Sequence, residues 1–298
     1  MPNPVGGTTP YWLELGGVGA GWLASAQGGL AVAEVIVKRL GPDNIQHKHI
    51  AGVKYEDITI TCGPVISKAF YDWITGTVAR VHTRLDGAVI LVDPNGKDVS
   101  RLDFYKALIT ELGFPALDAS SKNTASLTVK FAPVYTQRSK FVGPGGTRPA
   151  PEQQWLAANF RLQINDLDCT SVTKVEALVI TVRMSQVTSG EVSQPEYLEI
   201  SDFVATLDEG QADSFYKWHE DFVIKGNNGS DKEKTGTLEY LSADLRQVLF
   251  TLTLKGLGIR ALRPVPVDTT NESVRRVQVQ MYCEDMSLTS GVVGSFIF

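Results

Sequence analysis

The chain has 298 residues, 43% hydrophobic and 20% charged, with 27 Gly and 14 Pro. That globular composition excludes a disordered chain, a collagen and a disulfide-dense miniprotein, and the length leaves room for two domains of roughly 150 residues. Net charge is −5, so no basic character points to nucleic-acid recognition.

The charge is unevenly divided. Residues 1–149 carry 15 Lys and Arg against 12 Asp and Glu, whereas residues 150–298 carry 13 against 21. Cys62, Cys169 and Cys283 are too scattered for a disulfide framework and form no CxxC pair. The first residues lack the basic start and apolar run of a signal peptide. No apolar run reaches the roughly 18–20 residues of a membrane span. These features point to synthesis in the cytoplasm without a signal peptide.

In chain order, period-2 alternation predicts strands over 11–15, 33–38, 55–61, 87–92, 102–111 and 125–131. One helix interrupts them, because Ile66, Phe70, Trp73, Ile74 and Thr77 share one face at helical spacing. Residues 139–158, with Gly143-Pro144-Gly145-Gly146 and Pro149-Ala150-Pro151, break both patterns and read as a linker.

The pattern then repeats. Tyr11–Leu15 resembles Phe160–Ile164; Ala33–Val37 parallels Ala177–Val182; Lys54–Ile60 parallels Glu199–Ala205. Phe70-Tyr71-Asp72-Trp73 recurs as Phe215-Tyr216-Lys217-Trp218, and at the same offset Leu112–Leu117 lines up with Leu257–Leu262. Each copy closes on an alternating strand, Leu127/Val129/Phe131 in one and Val277/Val279/Met281 in the other. Such order over most of the chain reads as a tandem duplication: 1–138, a linker over 139–158, and 159–298. The expected fold is mainly β (α+β), two antiparallel β-sandwich or half-barrel domains, each closed by one amphipathic helix. Phe70, Trp73, Phe215 and Trp218 are its core-helix residues.

No reactive constellation emerges. The run Gly16–Gly21 lacks a third glycine at position 22, which is Trp22, and leads into a strand, so it reads as a flexible turn rather than a dinucleotide loop. His47 and His49 are two of the four ligands a zinc site needs, with Cys62 the nearest thiol. No GxSxG occurs, and Asp93-Pro94-Asn95-Gly96 is a turn rather than a calcium loop. The expectation is a protein without catalytic residues, metal or cofactor.

One family resemblance covers nearly the whole chain. Tyr11–Gly21, the loop leading to His47-Lys48-His49-Ile50-Ala51-Gly52-Val53-Lys54-Tyr55, the strand closing on Gly63, the helix with Trp73-Ile74, and Phe114-Pro115-Ala116-Leu117-Asp118-Ala119-Ser120 follow in order. This arrangement resembles the tail tube proteins of contractile phage tails and related injection systems; the second copy keeps the order with fewer markers.

The resemblance implies a structural protein that assembles with itself into rings and stacked tubes, assembled into a virion tail or injection particle. A ring would be either a trimer of pseudo-sixfold symmetry or a hexamer. Implied partners are a sheath protein, a baseplate, and DNA, tape-measure protein or effector cargo in the lumen, without specific nucleic-acid recognition. The implied ring-to-ring contacts fall in loop 40–54, with His47, Lys48, His49 and Ile50, and in 184–198, with Val192 and Gln194. Two alternatives remain: a baseplate hub or tube initiator with two tube-like domains, and a soluble ligand-binding β-sandwich using Trp12, Trp22 and Trp155 as stacking platforms.

Overall fold

The computed structural model describes residues 10–38, 45–143, 146, 148, 155–185, 194–266 and 275–290. In the first half, β1 (Tyr11–Leu15) turns into β2 (Val18–Gly28), and β3 (Ala31–Lys38) and β4 (His47–Tyr55) form a hairpin. There follow β5 (Ile58–Cys62), α1 (Lys68–Val78), β6 (Leu85–Val92), β7 (Asp98–Phe114), β8 (Leu117–Asp118), β9 (Leu127–Ala132) and β10 (Tyr135–Gly143). Gly16 and Gly17 make the first turn, with φ of 58° and 81°, a region that favours glycine. The ladder then continues through Gly19 and Gly21, so only the start of the glycine run is a turn.

Six of these strands close into a barrel in the order β7-β6-β1-β2-β5-β9, with β9 returning to β7. Alternation drives the closure: Leu13, Ile60, Phe104, Val129 and Phe131 are buried inside. The helix α1 plugs this core. Its cap is Ser67, whose Oγ accepts the Phe70 N–H at 3.3 Å. Phe70 and Trp73 are buried, and Trp73 lies 5.4 Å from the Phe131 ring, which in turn lies 4.8 Å from Phe104.

The second half contains β11 (Phe160–Ile164), β12 (Val172–Val175), β13 (Leu178–Met184), β14 (Pro195–Ile200), β15 (Phe203–Asp208), α2 (Asp213–His219), β16 (Lys234–Leu241), β17 (Val248–Pro264) and β18 (Arg276–Ser290). A π turn, Glu220–Ile224, extends α2 and buries Phe222. Phe215 and Trp218 are buried. The strand order is β11-β16-β17-β18-β15-β12. Position for position, this is the order β1-β6-β7-β9-β5-β2 of the barrel. It differs at one place: β1 pairs with β2, whereas β12 pairs with β15 and β8 and not with β11. The second half is therefore a half-barrel.

Registers locate the correspondence residue by residue. Ile58 opposite Phe131 matches Phe203 opposite Met281. The shift between Ile109 and Glu111 on the ladder to β9 recurs between Ile259 and Ala261 on the ladder to β18. Lys106 and Gly256, each with positive φ, precede those shifts by the same interval. Leu112 thus corresponds to Leu262, 150 positions on, rather than to Leu257. Likewise the Leu30 carbonyl accepts from Glu56 N–H at 3.0 Å, as Val179 accepts from Ser201 at 2.9 Å. Leu30 matches Val179, so the paired stretch of β13 corresponds to 29–32.

The halves share one core. Buried residues from both form a single cluster, and Tyr71 of α1 reaches the end of β18, where its Oη accepts the Ser290 N–H at 3.0 Å. The segment read as a linker contributes to both halves. Its first residues extend β10, which pairs with β7 from Tyr135 opposite Tyr105 onward, and Trp155 near its end is buried against Tyr240. Trp12 is likewise buried, edge-on to the half-buried Trp22 at 5.0 Å. Burial leaves Trp12 and Trp155 without the exposed faces that a stacking platform for a ligand needs.

Candidate assembly interface

The two hairpins occupy corresponding positions and meet different fates. In β3–β4 all eight residues of β3 and all but the last of β4 are exposed. The exposed set includes Val32 (44%), Val35 (57%), Ile36 (52%), Ile50 (72%) and Val53 (61%). This hairpin forms a two-stranded sheet of its own, and an isolated hairpin is marginal in water. An apolar patch of this kind marks an interaction surface.

The hairpin β13–β14 is instead built into the barrel sheet. Leu178, Val179, Ile180 and Thr181 pair with Phe114, Gly113, Leu112 and Glu111 of β7. Leu178 and Ile180 are buried there. Each hairpin also carries one cross-strand ion pair at the corresponding place, Glu34–Lys54 in one and Arg183–Glu199 in the other, with the signs exchanged.

The residues expected to contact the next ring fall at the distal ends of these hairpins. His47, Lys48, His49 and Ile50 open β4, exposed, opposite Lys38, Val37, Ile36 and Val35. Gln194 is exposed beside the start of β14, its N–H donated to Ser185 Oγ at 2.9 Å. Val192 lies outside the described residues. What sequence reasoning missed is the proximal part of each hairpin and the strand edge that receives it. The signal available was the apolar segment 30–37, interrupted only by Glu34 and so without a polar face.

Reactive chemistry has little to work with. Cys62 is fully buried inside the barrel, whereas His47 and His49 are exposed on the hairpin. Among the described residues no group of three or more His, Cys, Asp or Glu is placed to hold a metal ion. Burial pushes the Cys62 thiol up to about 12, and Cys169 and Cys283 to about 11, so little thiolate forms near neutrality. Native protein at pH 8 is therefore expected to resist iodoacetamide for hours and to label at all three thiols in denaturant; rapid native labelling of Cys62, read by mass spectrometry, would refute this burial. Among the described residues no helix is long and apolar enough to cross a membrane.

Comparison with known proteins finds one family model similar to the first half of the chain. Residues 11–136, from the start of β1 into β10, match the model of the T4-like virus tail tube protein gp19. Over these residues, fewer than half of the 298 in the chain, the sequence is similar to the tail tube family. Its role is structural, that of a tube protein. No curated protein matches the chain.

The similar solved structures each cover about half of this chain. A chain of the anti-feeding prophage cap, described as a tube-terminating cap, is 22% identical over 47% of this chain and 93% of its own, with a TM-score of 0.39. A chain of the sheath–tube complex of an extracellular contractile injection system in its extended state is 20% identical, over 47% and 93%, with a TM-score of 0.39. A chain of the anti-feeding prophage baseplate is 14% identical, over 49% and 99%, with a TM-score of 0.36.

Proposed function

We propose that the chain is two tail tube units in tandem, bounded at about 138 and 159, which stand side by side in one ring, and that rings stack into the inner conduit of a contractile tail or injection machine. The observation that carries this reading is the pairing of β13 with β7, which makes the barrel sheet continue from one unit into the hairpin of the next. The common strand order of the two halves supports the duplication. Two units joined laterally favour a ring of three chains with pseudo-sixfold symmetry over a ring of six chains in two layers.

A ring of this kind encloses a lumen, because many strands bound more space than their side chains fill. The lumen carries DNA, tape-measure protein or effector cargo, a sheath surrounds the tube, and a baseplate seeds it. The chain works as a conduit and needs no catalytic centre. The mild positive excess of the first half and the acidity of the second attract across every lateral seam.

The distal hairpin, with His47, Lys48, His49, Ile50 and Gln194, makes the ring-to-ring contacts in this reading. Replacing residues 43–50 by a short Gly/Ser turn leaves the proximal pairing of Ala31–Ala33 with Val53–Tyr55. That variant is expected to form rings and no long tubes in negative-stain images; long tubes would overturn the assignment. A hub or tube initiator is distinguished by the wild-type protein, which would then stop at single rings.

A further inference from the structure

The seam inside the chain has an open counterpart. On β7, strand β6 covers one edge only as far as Ala107, opposite Leu85. Beyond it that same edge accepts β13 at Glu111–Phe114, while β9 holds the other edge at Leu112. On β17, strand β16 covers the corresponding edge only as far as Leu257, opposite Lys234, while β18 holds the other edge out to Pro264. The edge of β17 at Ala261–Pro264 corresponds to Glu111–Phe114 and pairs with no strand among the described residues.

The donor is equally incomplete. The 29–32 stretch that corresponds to Leu178–Thr181 pairs along one side with β4; Gly29 is buried, its carbonyl accepting from Thr136 Oγ1 at 2.6 Å, and the stretch is exposed from Leu30 onward, with Leu30 at 51% and Val32 at 44%. An unpaired strand edge beside an uncovered apolar hairpin is a liability unless another chain covers both. Donor and edge sit on different halves of the chain and do not meet each other. They are complementary rather than identical, so their union is head-to-tail, the kind that closes into a ring when the rotation allows.

Resting on the tube reading above, we infer that β3 adds to β17 of a second copy of this chain, with Val32 opposite Ala261, Ala31 opposite Leu262 and Leu30 opposite Arg263. Around the ring, seams within a chain then alternate with seams between chains. The two differ chemically. Within the chain, Leu178 and Ile180 meet Phe114 and Leu112, all four buried. Between chains, Pro264 and Leu262 stand in those acceptor places, Arg263 replaces Gly113, and Ala31 replaces Ile180. Less apolar surface is available to bury, so the seam between chains is the weaker of the two.

The test is oxidative crosslinking of the full chain carrying Val32→Cys and Ala261→Cys, with Leu30→Cys and Arg263→Cys as a second pair at more exposed positions. Expected are crosslinked dimers and trimers on a non-reducing denaturing gel, absent from each single variant and from the off-register pair Val35→Cys with Ala261→Cys. Rings or tubes in negative stain without crosslinks at either matched pair would overturn this seam and leave the tube reading standing. Crosslinks at the off-register pair in equal yield would also overturn it. A 32.5 kDa monomer by light scattering at high concentration would overturn both.

Discussion

Replacing Trp155 with alanine is expected to destabilise the protein by about 3–5 kcal/mol, the range for truncating a large buried aromatic. Trp155 is 2% exposed and lies edge-on to Tyr240 at 4.9 Å, with Phe250 at 6.1 Å. Around it close Ile66, Ile74, Phe114 and Leu127 from the first half and Leu288 from the second. The backbone there is also fixed: the Ala125 N–H donates to the Trp155 carbonyl at 2.6 Å, and Thr124 bridges to Leu156.

Truncation would open a cavity at the junction of the halves, so both should lose stability together. Chemical denaturation should show one transition shifted to lower denaturant rather than two. The indole Nε1 is buried and has no hydrogen-bond partner among the described residues, a cost to the native state. Trp155→Phe removes that cost along with some packing and should lose about 1 kcal/mol, within the range for a modest core change. A loss under about 1 kcal/mol for the alanine variant would show that Trp155 does not hold the junction.

The second large effect is expected at Asp98. Its Oδ1 lies 2.7 Å from Arg148 Nη1, and the side chains are only 12% and 8% exposed. The guanidinium also lies 5.6 Å from the centre of the Trp12 ring. Asp98→Ala leaves this cation buried and uncompensated, which costs about 3–5 kcal/mol in comparable pairs. The contact is close but off the line of a good hydrogen bond, which places the expected loss at the lower end. Asp98→Leu combined with Arg148→Met should recover most of it, since apolar replacement of both partners is often neutral. The cycle of single and double variants measures the coupling; additive losses would mean the two charges do not depend on each other.

Much of the fold is legible in the residues. The β1, β5, β6, β7 and β9 alternations and the Phe70/Trp73 face are signals of burial on one side, and burial is what the barrel interior supplies. Correspondences of 149 positions for β1 with β11 and 145 for β5 with β15 can also be read from the sequence. The alignment of Leu112–Leu117 with Leu257–Leu262 is a local coincidence of composition. The ladder is set instead by the bulges after Ile109 and Ile259; a one-residue insertion flips the phase of the alternation, and here the flip falls beside three consecutive buried residues, Ala107–Ile109 and Leu257–Ile259, which blur it. β10 leaves little signal in the sequence because Tyr135–Lys140 is polar, mostly exposed and followed by glycine and proline, while its support is the β7 ladder and the stacked Tyr105–Tyr135 rings at 4.3 Å.

The proposed interface is legible in the sequence only at its tip. His47–Ile50 came from the resemblance to a family, whereas the receiving edge of β17 depends on where β16 stops, a property of pairing between distant segments. Sequence states which residues prefer a strand. It does not state which side of that strand is left without a neighbour.

The pairing of β13 with β7 also bears on how material enters a growing ring. Because both strands belong to one polypeptide, that junction forms at an effective concentration in the millimolar range, whatever the dilution of the protein. Each further junction must repay the translational and rotational freedom of a whole incoming molecule, about 4–15 kcal/mol. Gathering three such molecules into a ring incurs that loss about twice, whereas gathering six single units incurs it about five times, because the closing junction brings in no new molecule. In the ring proposed above, each molecule enters as a two-unit arc with one receptive end and one donating end, so growth has a direction before any second molecule arrives.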